Sequence, residues 1–175
     1  NGQKKLFTCG NNNTGQLGRD TNSSYNQFLT KFNRFTNIKS IAFGLNHAAM
    51  IIEDTDGKTK LYTVGNNSYG QLGDSTTVSK SSPILVSNNV FISVSVGASH
   101  TASVSTGNKL YAWGINNIGQ LGTGDIINRS SPVQVGTGYV SSVSSMIDNI
   151  GIIDPIGNIN TIGQNNYGQL GTNNV

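Results

Sequence analysis

An all-β fold of the β-propeller class is what this sequence predicts, and three observations predict it. A nine-residue glycine-rich motif recurs four times. A short strand-like run precedes each copy. No segment carries helical periodicity with caps, while Gly, Asn, Ser and Thr fill the chain. The copies are Gly10-Asn-Asn-Asn-Thr-Gly-Gln-Leu-Gly18, Gly65-Asn-Asn-Ser-Tyr-Gly-Gln-Leu-Gly73, Gly114-Ile-Asn-Asn-Ile-Gly-Gln-Leu-Gly122 and Gly163-Gln-Asn-Asn-Tyr-Gly-Gln-Leu-Gly171. Their first glycines lie 55, 49 and 49 residues apart. Four-stranded units repeated near this length suit blades stacked around an axis.

In chain order, the reading starts with an orphan strand over 4–9. Blade-like units follow at about 19–65, 74–114 and 123–163, and a linker fills 164–175. The second unit reads most clearly. Its first strand covers Ile84 to Val86, after Pro83, where a proline is tolerated at a strand start. Its second covers Val90 to Val96, with Val90, Ile92, Val94 and Val96 expected on one face and Phe91 with the serines on the other. His100 to Ser105 and Lys109 to Trp113 are the third and fourth, joined by the turn Thr106-Gly107-Asn108. Asp54-Thr-Asp56-Gly57 and Asp154-Pro155-Ile156-Gly157 are the matching turns. The glycine-rich motif is expected to link the last strand of one blade to the next. Its Leu should anchor inward, and its Gln amide should bond loop backbone that would otherwise be buried unpaired.

The bulk properties exclude several classes. Hydrophobic residues make up 35% and charged residues 11%, too few charges for a coiled coil or a charged disordered chain. Net charge is +3, but Lys and Arg are scattered, not gathered into the patch that nucleic acid requires. Cys9 is the single cysteine, so neither an intrachain disulfide nor a multi-cysteine metal site is possible. No apolar run is long enough for a membrane helix. The chain starts at Asn1, and its true N-terminus is expected to lie upstream.

Leu110-Tyr-Ala-Trp-Gly114, Asn116-Asn-Ile-Gly-Gln-Leu-Gly122, Ser131-Pro-Val-Gln-Val135 and Gly97-Ala-Ser-His100 together resemble the regulator-of-chromosome-condensation repeat. The resemblance covers nearly the whole chain. It implies a propeller of seven blades, of which about 3–3.5 four-stranded blades are present, since seven units would need about 350 residues. The chain is therefore expected to be part of a longer propeller; closure of the ring by another chain is the alternative. The resemblance also implies a fold that presents surfaces to other proteins, and, in the best-known family member, guanine-nucleotide exchange on a small GTPase.

The motifs of common catalytic and metal sites are incomplete in this sequence. G-x-x-x-x-G opens a phosphate-binding loop, but Lys and Ser/Thr should follow; here Gln and Leu follow in all four copies. The turn at Asp54 lacks the Glu that would complete a calcium loop. His47 and His100 occupy equivalent positions in different blades. They read as strand-start histidines bonded to neighbouring backbone, and two histidines cannot make a usual zinc site. Glu53 is the single Glu, with no partner for acid–base work. No catalytic, cofactor-binding or metal site is assigned, and no cofactor is expected. Tyr69, Ile118, Tyr167 and Thr14 share one motif position. The variable stretches after each Gln-Leu-Gly lie on one end of the blades, and their charged members Arg19, Asp20, Asp74, Asp125 and Arg129 are the candidate partner-binding residues. The leading expectation is a non-catalytic, protein-binding scaffold propeller, serving as a structural or adhesion component of a virion or cell surface. Exchange on a GTPase, and an inhibitor or carbohydrate-binding propeller, are the alternatives. The expected partners are proteins, not nucleic acid and not a membrane interior.

Overall fold

The computed structural model describes residues 6–21, 25–32, 35, 37–53 and 57–172. Lys4 and Lys5 of the expected first strand, most of the Asp54 turn and the last three residues of the linker lie outside that set. Among the described residues every regular element is a strand: β1 Leu6–Asn11, β2 Tyr25–Phe32, β3 Ile38–Phe43, β4 His47–Glu53, β5 Thr59–Gly65, β6 Lys80–Leu85, β7 Phe91–Val96, β8 His100–Ser105, β9 Leu110–Gly114, β10 Arg129–Val135, β11 Ser142–Ser145, β12 Asn149–Ile153 and β13 Ile159–Gly163.

These strands form four antiparallel sheets: β1-β2, β3-β4-β5-β6, β7-β8-β9-β10 and β11-β12-β13. The opening strands β3, β7 and β11 of successive sheets contact one another. The chain is thus a stack of about three blades: the last two strands of a first, complete second and third blades, and three strands of a fourth.

The sheets do not coincide with units 19–65, 74–114 and 123–163. β6 does not open the sheet of β7–β9; it closes the sheet before, with Tyr62 opposite Leu85 and Gly65 opposite Lys80. β10 pairs with β9 in the same way, Arg129 opposite Gly114. The glycine-rich motif folds back on itself, so the strand leaving it runs antiparallel to the strand entering it. The crossing between blades falls instead to the short segments after β6 and β10. The orphan strand is no orphan for the same reason: β1 pairs with β2, Leu6 opposite Phe32 and Asn11 opposite Tyr25.

One face assignment also shifts. Phe91 is fully buried and Ile92 is 48% exposed, the reverse of the alternation read from sequence. A register shift between Phe91 and Ser93 is the cause: the extra residue turns the start of β7 over, and Val94 and Val96 still face inward. Phe91 then packs edge-on against Tyr111, ring centroids 5.6 Å apart, and beside Trp113. With Ile51, Leu61 and Val86 of the second blade these rings form the core between the second and third blades. The next core, between the third and fourth, is aliphatic: Ala102, Leu110, Leu121, Val140, Val143 and Ile150.

The turns follow local chemistry. At Ser105–Lys109 the left-handed residue is Asn108 (φ 56°), not Gly107. At Asp154 the carboxylate accepts the Ile156 and Asn158 backbone N–H groups, and Gly157 supplies the positive φ.

Candidate functional site

Antiparallel order places the β3–β4 and β7–β8 turns at the same end of the stack as the motif loops. Each loop is built around the Asn at the third position of its motif. Asn67 is fully buried. Its Oδ1 accepts the Leu72 N–H at 2.9 Å, and its Nδ2 donates to Asp74 Oδ1 and to the Thr76 and Val78 carbonyls. Asn116 repeats this with Leu121, Asp125 and Ile127. Asn12 and Asn165 accept the Leu17 and Leu170 N–H groups in the same manner. Sequence reasoning did not single out this residue. The signal was available: the position after it and the position before it vary or face solvent, whereas this Asn stands in all four copies.

The two motif roles expected from sequence are present. Leu72 and Leu121 are wholly buried. Gln16, Gln71, Gln120 and Gln169 each accept, through Oε1, the N–H of the residue two before them. In the second blade the N–H groups of Tyr69, Gly70, Leu72 and Gly73 are all bonded within the loop. Donors used this way hold architecture; they are not turned toward a phosphate.

The loops also clasp the next blade. Asp20 and Ser75 occupy equivalent positions with left-handed backbone (φ 60° and 65°). The Asp20 N–H donates to the Ser81 carbonyl and the Ser75 N–H to the Ser130 carbonyl. Ser82 Oγ donates to the Asp20 carboxylate, and the Ser75 and Ser131 hydroxyls meet at 2.9 Å. Gly73 (φ 74°) lies against Trp113: a Cβ there would sit 2.6 Å from its Nε1.

The five charged rim residues are not gathered into one cluster. Arg19 donates from its guanidinium to the Thr8 hydroxyl and carbonyl. Asp20 is part of the clasp just described. Asp74 accepts from Asn67 and from the Thr76 N–H and hydroxyl, with Lys80 Nζ 3.8 Å away. Asp125 and Arg129 meet at 2.5 Å in the next loop. There the carboxylate and hydroxyl have changed places: Thr123 donates to Asp125 where Thr76 donates to Asp74. The Ile127 N–H, then the Thr123 hydroxyl and Arg129, hold the Asp125 carboxyl below the usual carboxylate range. Of the apolar side chains on these loops, Val78, Ile126 and Ile127 are well exposed, at 61%, 68% and 62%; Tyr69, Ile118 and Tyr167 are exposed as well. Nearer the axis, Phe43, Leu45, Ala98, Met146 and Ile147 line an apolar recess of about 320 Å³.

The histidines differ from expectation and from each other. His47 is not bonded to neighbouring backbone; its Nε2 lies 3.0 Å from Thr101 Oγ1 in the following blade. The Thr101 hydroxyl donates to the Gln71 carbonyl, so His47 Nε2 is the donor. Trp113 Nε1 donates to the same carbonyl at 3.0 Å. His100 is equally buried, but neither ring nitrogen has a hydrogen-bond partner. Burial pushes His47 down to about 3 and His100 to about 4, so both are neutral at pH 7. Glu53 is held low by Lys39, then Asn37, at the edge of the second blade. Among the described residues no group of three or more His, Cys, Asp or Glu is placed to hold a metal ion. Asn12, which opens an Asn-x-Thr triplet, is buried as a loop hub and not displayed to solvent.

The family model of the regulator of chromosome condensation (RCC1) repeat matches residues 4–51, 59–104 and 108–146, and a second model of the same repeat matches 91–120. No curated protein matches the chain by sequence comparison. Among solved structures, human WBSCR16 superimposes with a TM-score of 0.78 at 22% identity, covering 90% of this chain and 42% of that one. Prp20p of Saccharomyces cerevisiae gives 0.76 at 20% identity, covering 97% and 41%. The same yeast protein bound to Kap60 gives 0.75 at 21%, covering 92% and 40%. The chain therefore spans about two fifths of the length of these propellers. With the repeat model matched three times over most of its length, the chain belongs to the RCC1 repeat family.

Proposed function

We propose that this chain is a non-catalytic protein-interaction propeller whose contact surface is the end bearing the motif loops. One observation carries the reading: the loops satisfy their own backbone donors and charged groups, while Val78 and Ile127 project into solvent from equivalent places on successive loops, with Ile126 beside Ile127. Rigid loops with apolar tips suit the anchor residues of a protein interface. Arg19, Asp20, Asp74, Asp125 and Arg129 belong to this surface as the groups that shape and border it. Yeast Prp20p, solved with Kap60 and described by its binding to Gsp1p and histones, gives the reading a precedent on the same fold. The finer role, a structural or adhesion part of a virion or cell surface, draws support from the regular Ser-Ser-Pro-Val-Gln-Val style and polar composition.

The test is a pull-down with wild type and an Ile126→Asp/Ile127→Asp double variant. Loss of a specific partner, with an unchanged urea midpoint, supports the reading. Retention of every partner in this variant, and after charge reversal at the five rim residues, ends it. A nucleotide-release assay on any GTPase recovered separates simple binding from exchange.

A further inference from the structure

Successive joints between blades are built from equivalent positions, so one can be compared with the next. Between the second and third blades, His47, Thr101, the Gln71 carbonyl and Trp113 form a continuous polar relay. Between the third and fourth, His100 and Gln120 take the places of His47 and Gln71, but the residues at the Thr101 and Trp113 positions, each 49 residues on, are Ile150 and Ile162. Neither can accept from a ring nitrogen or donate to a carbonyl. His100 is left with both nitrogens unpartnered, and the buried Ser145 hydroxyl at this joint is unpartnered too.

The same joint is also packed less fully toward its other end. Phe91, Tyr111 and Trp113 fill the earlier joint; Val140, Asn160 and Ile162 stand at their equivalents. A cavity of about 580 Å³ opens by the β12–β13 turn, lined by Val135, Tyr139, Val140, Ile152, Asn160 and Ile162 among others. His100 is nonetheless wedged tightly: a Cβ on Gly97 would fall 2.2 Å from its Cε1 and 2.5 Å from the Met146 carbonyl of the fourth blade. The ring can gain water, or a proton, only if that turn moves away.

We infer that the joint between the third and fourth blades is the opening point of the stack, and that proton uptake by His100 releases it. A buried imidazolium compensated only in part by nearby backbone carries a desolvation cost that separation of the blades removes. The groups that bear on the ring are few. Gly97 packs from its own blade, Met146 and Asn149 pack from the fourth, Asp148 is the titratable side chain of that turn, and His47 is the other ionisable neighbour. The Asn149 backbone offsets only part of the effect of burial.

Hydrogen exchange by mass spectrometry on the whole protein at pH 7.5 and pH 5, corrected for intrinsic rates, tests this. Amides of β11 and β12 should exchange through an opening that is about thirtyfold more populated at pH 5, while those of β4 and β5 stay with global unfolding. His100→Asn, the residue the repeat itself carries at 149, should abolish that factor. Ile150→Thr, which restores the hydroxyl of the earlier joint, should lower the opening at both pH values. Exchange of β11–β12 in step with β4–β5 at both pH values would overturn the inference. So would persistence of the pH factor in His100→Asn.

Discussion

Replacing Asn116 with Ala removes the centre of the third motif loop without touching its apolar anchor. Asn116 is fully buried, and so is Leu121, whose N–H it accepts at 2.9 Å. Alanine leaves that N–H without an acceptor inside the protein, at about 1–3 kcal/mol. The Asp125 carbonyl also loses this donor, and the Ile127 carbonyl keeps only Arg129 Nη1, but both border solvent and can be rehydrated, so they add about 1 kcal/mol together. The expected loss is about 2–4 kcal/mol, read as a lower urea midpoint at unchanged slope. Asn116→Asp sharpens the argument. It keeps the shape and the acceptor for Leu121 but sets a carboxylate against two carbonyls and the Asp125 carboxylate, so at pH 7 it should cost at least as much as Ala. Asn117→Ala, next in sequence and exposed, removes only the long 3.3 Å bond from Gln120 Nε2 and should cost about 1 kcal/mol or less. If Asn116→Ala falls within about 0.5 kcal/mol of wild type at the same slope, the loop is not held by this amide and the reasoning fails.

Leu121→Ala should cost about 2–5 kcal/mol in the same assay, because the side chain is buried in the core between the third and fourth blades. Gly73→Ala and Gly119→Ala share a left-handed backbone (φ 74° and 77°), yet only the first drives a methyl into Trp113. Gly119→Ala should cost about 1–2 kcal/mol and Gly73→Ala clearly more; equal losses would show that the loop does not seat on Trp113. Stability should also fall on acidification. The folded histidines are held at about 3 and about 4, below the ordinary 6.5, so the unfolded chain binds protons first. The stabilisation is whole above pH 6.5, lost progressively below it, and worth about 2 kcal/mol per histidine by pH 5. A urea midpoint that does not move between pH 7.5 and pH 5 contradicts this.

Much of the fold was legible because it is written in local chemistry that repeats. Gly at left-handed positions, Gln beside its own loop amides and Leu before the closing glycine act over a few residues, and four copies expose the pattern. The strands were legible for the same reason. For the proposed contact surface the sequence offered only a location. Charge drew attention to Asp74, Asp125 and Arg129, whereas the structure turns those groups onto their own loops and leaves Val78, Ile126 and Ile127 outside.

What the sequence determined by itself was the repeat, the strand content and the turn chemistry, each set by contacts between near neighbours in the chain. Tertiary structure alone decided which sheet β6 and β10 join, which of Phe91 and Ile92 faces the core, and whether a buried histidine finds a hydroxyl. Those outcomes depend on a bulge and on side chains about fifty positions away. Periodicity along the chain carries no information about what stands opposite across a joint.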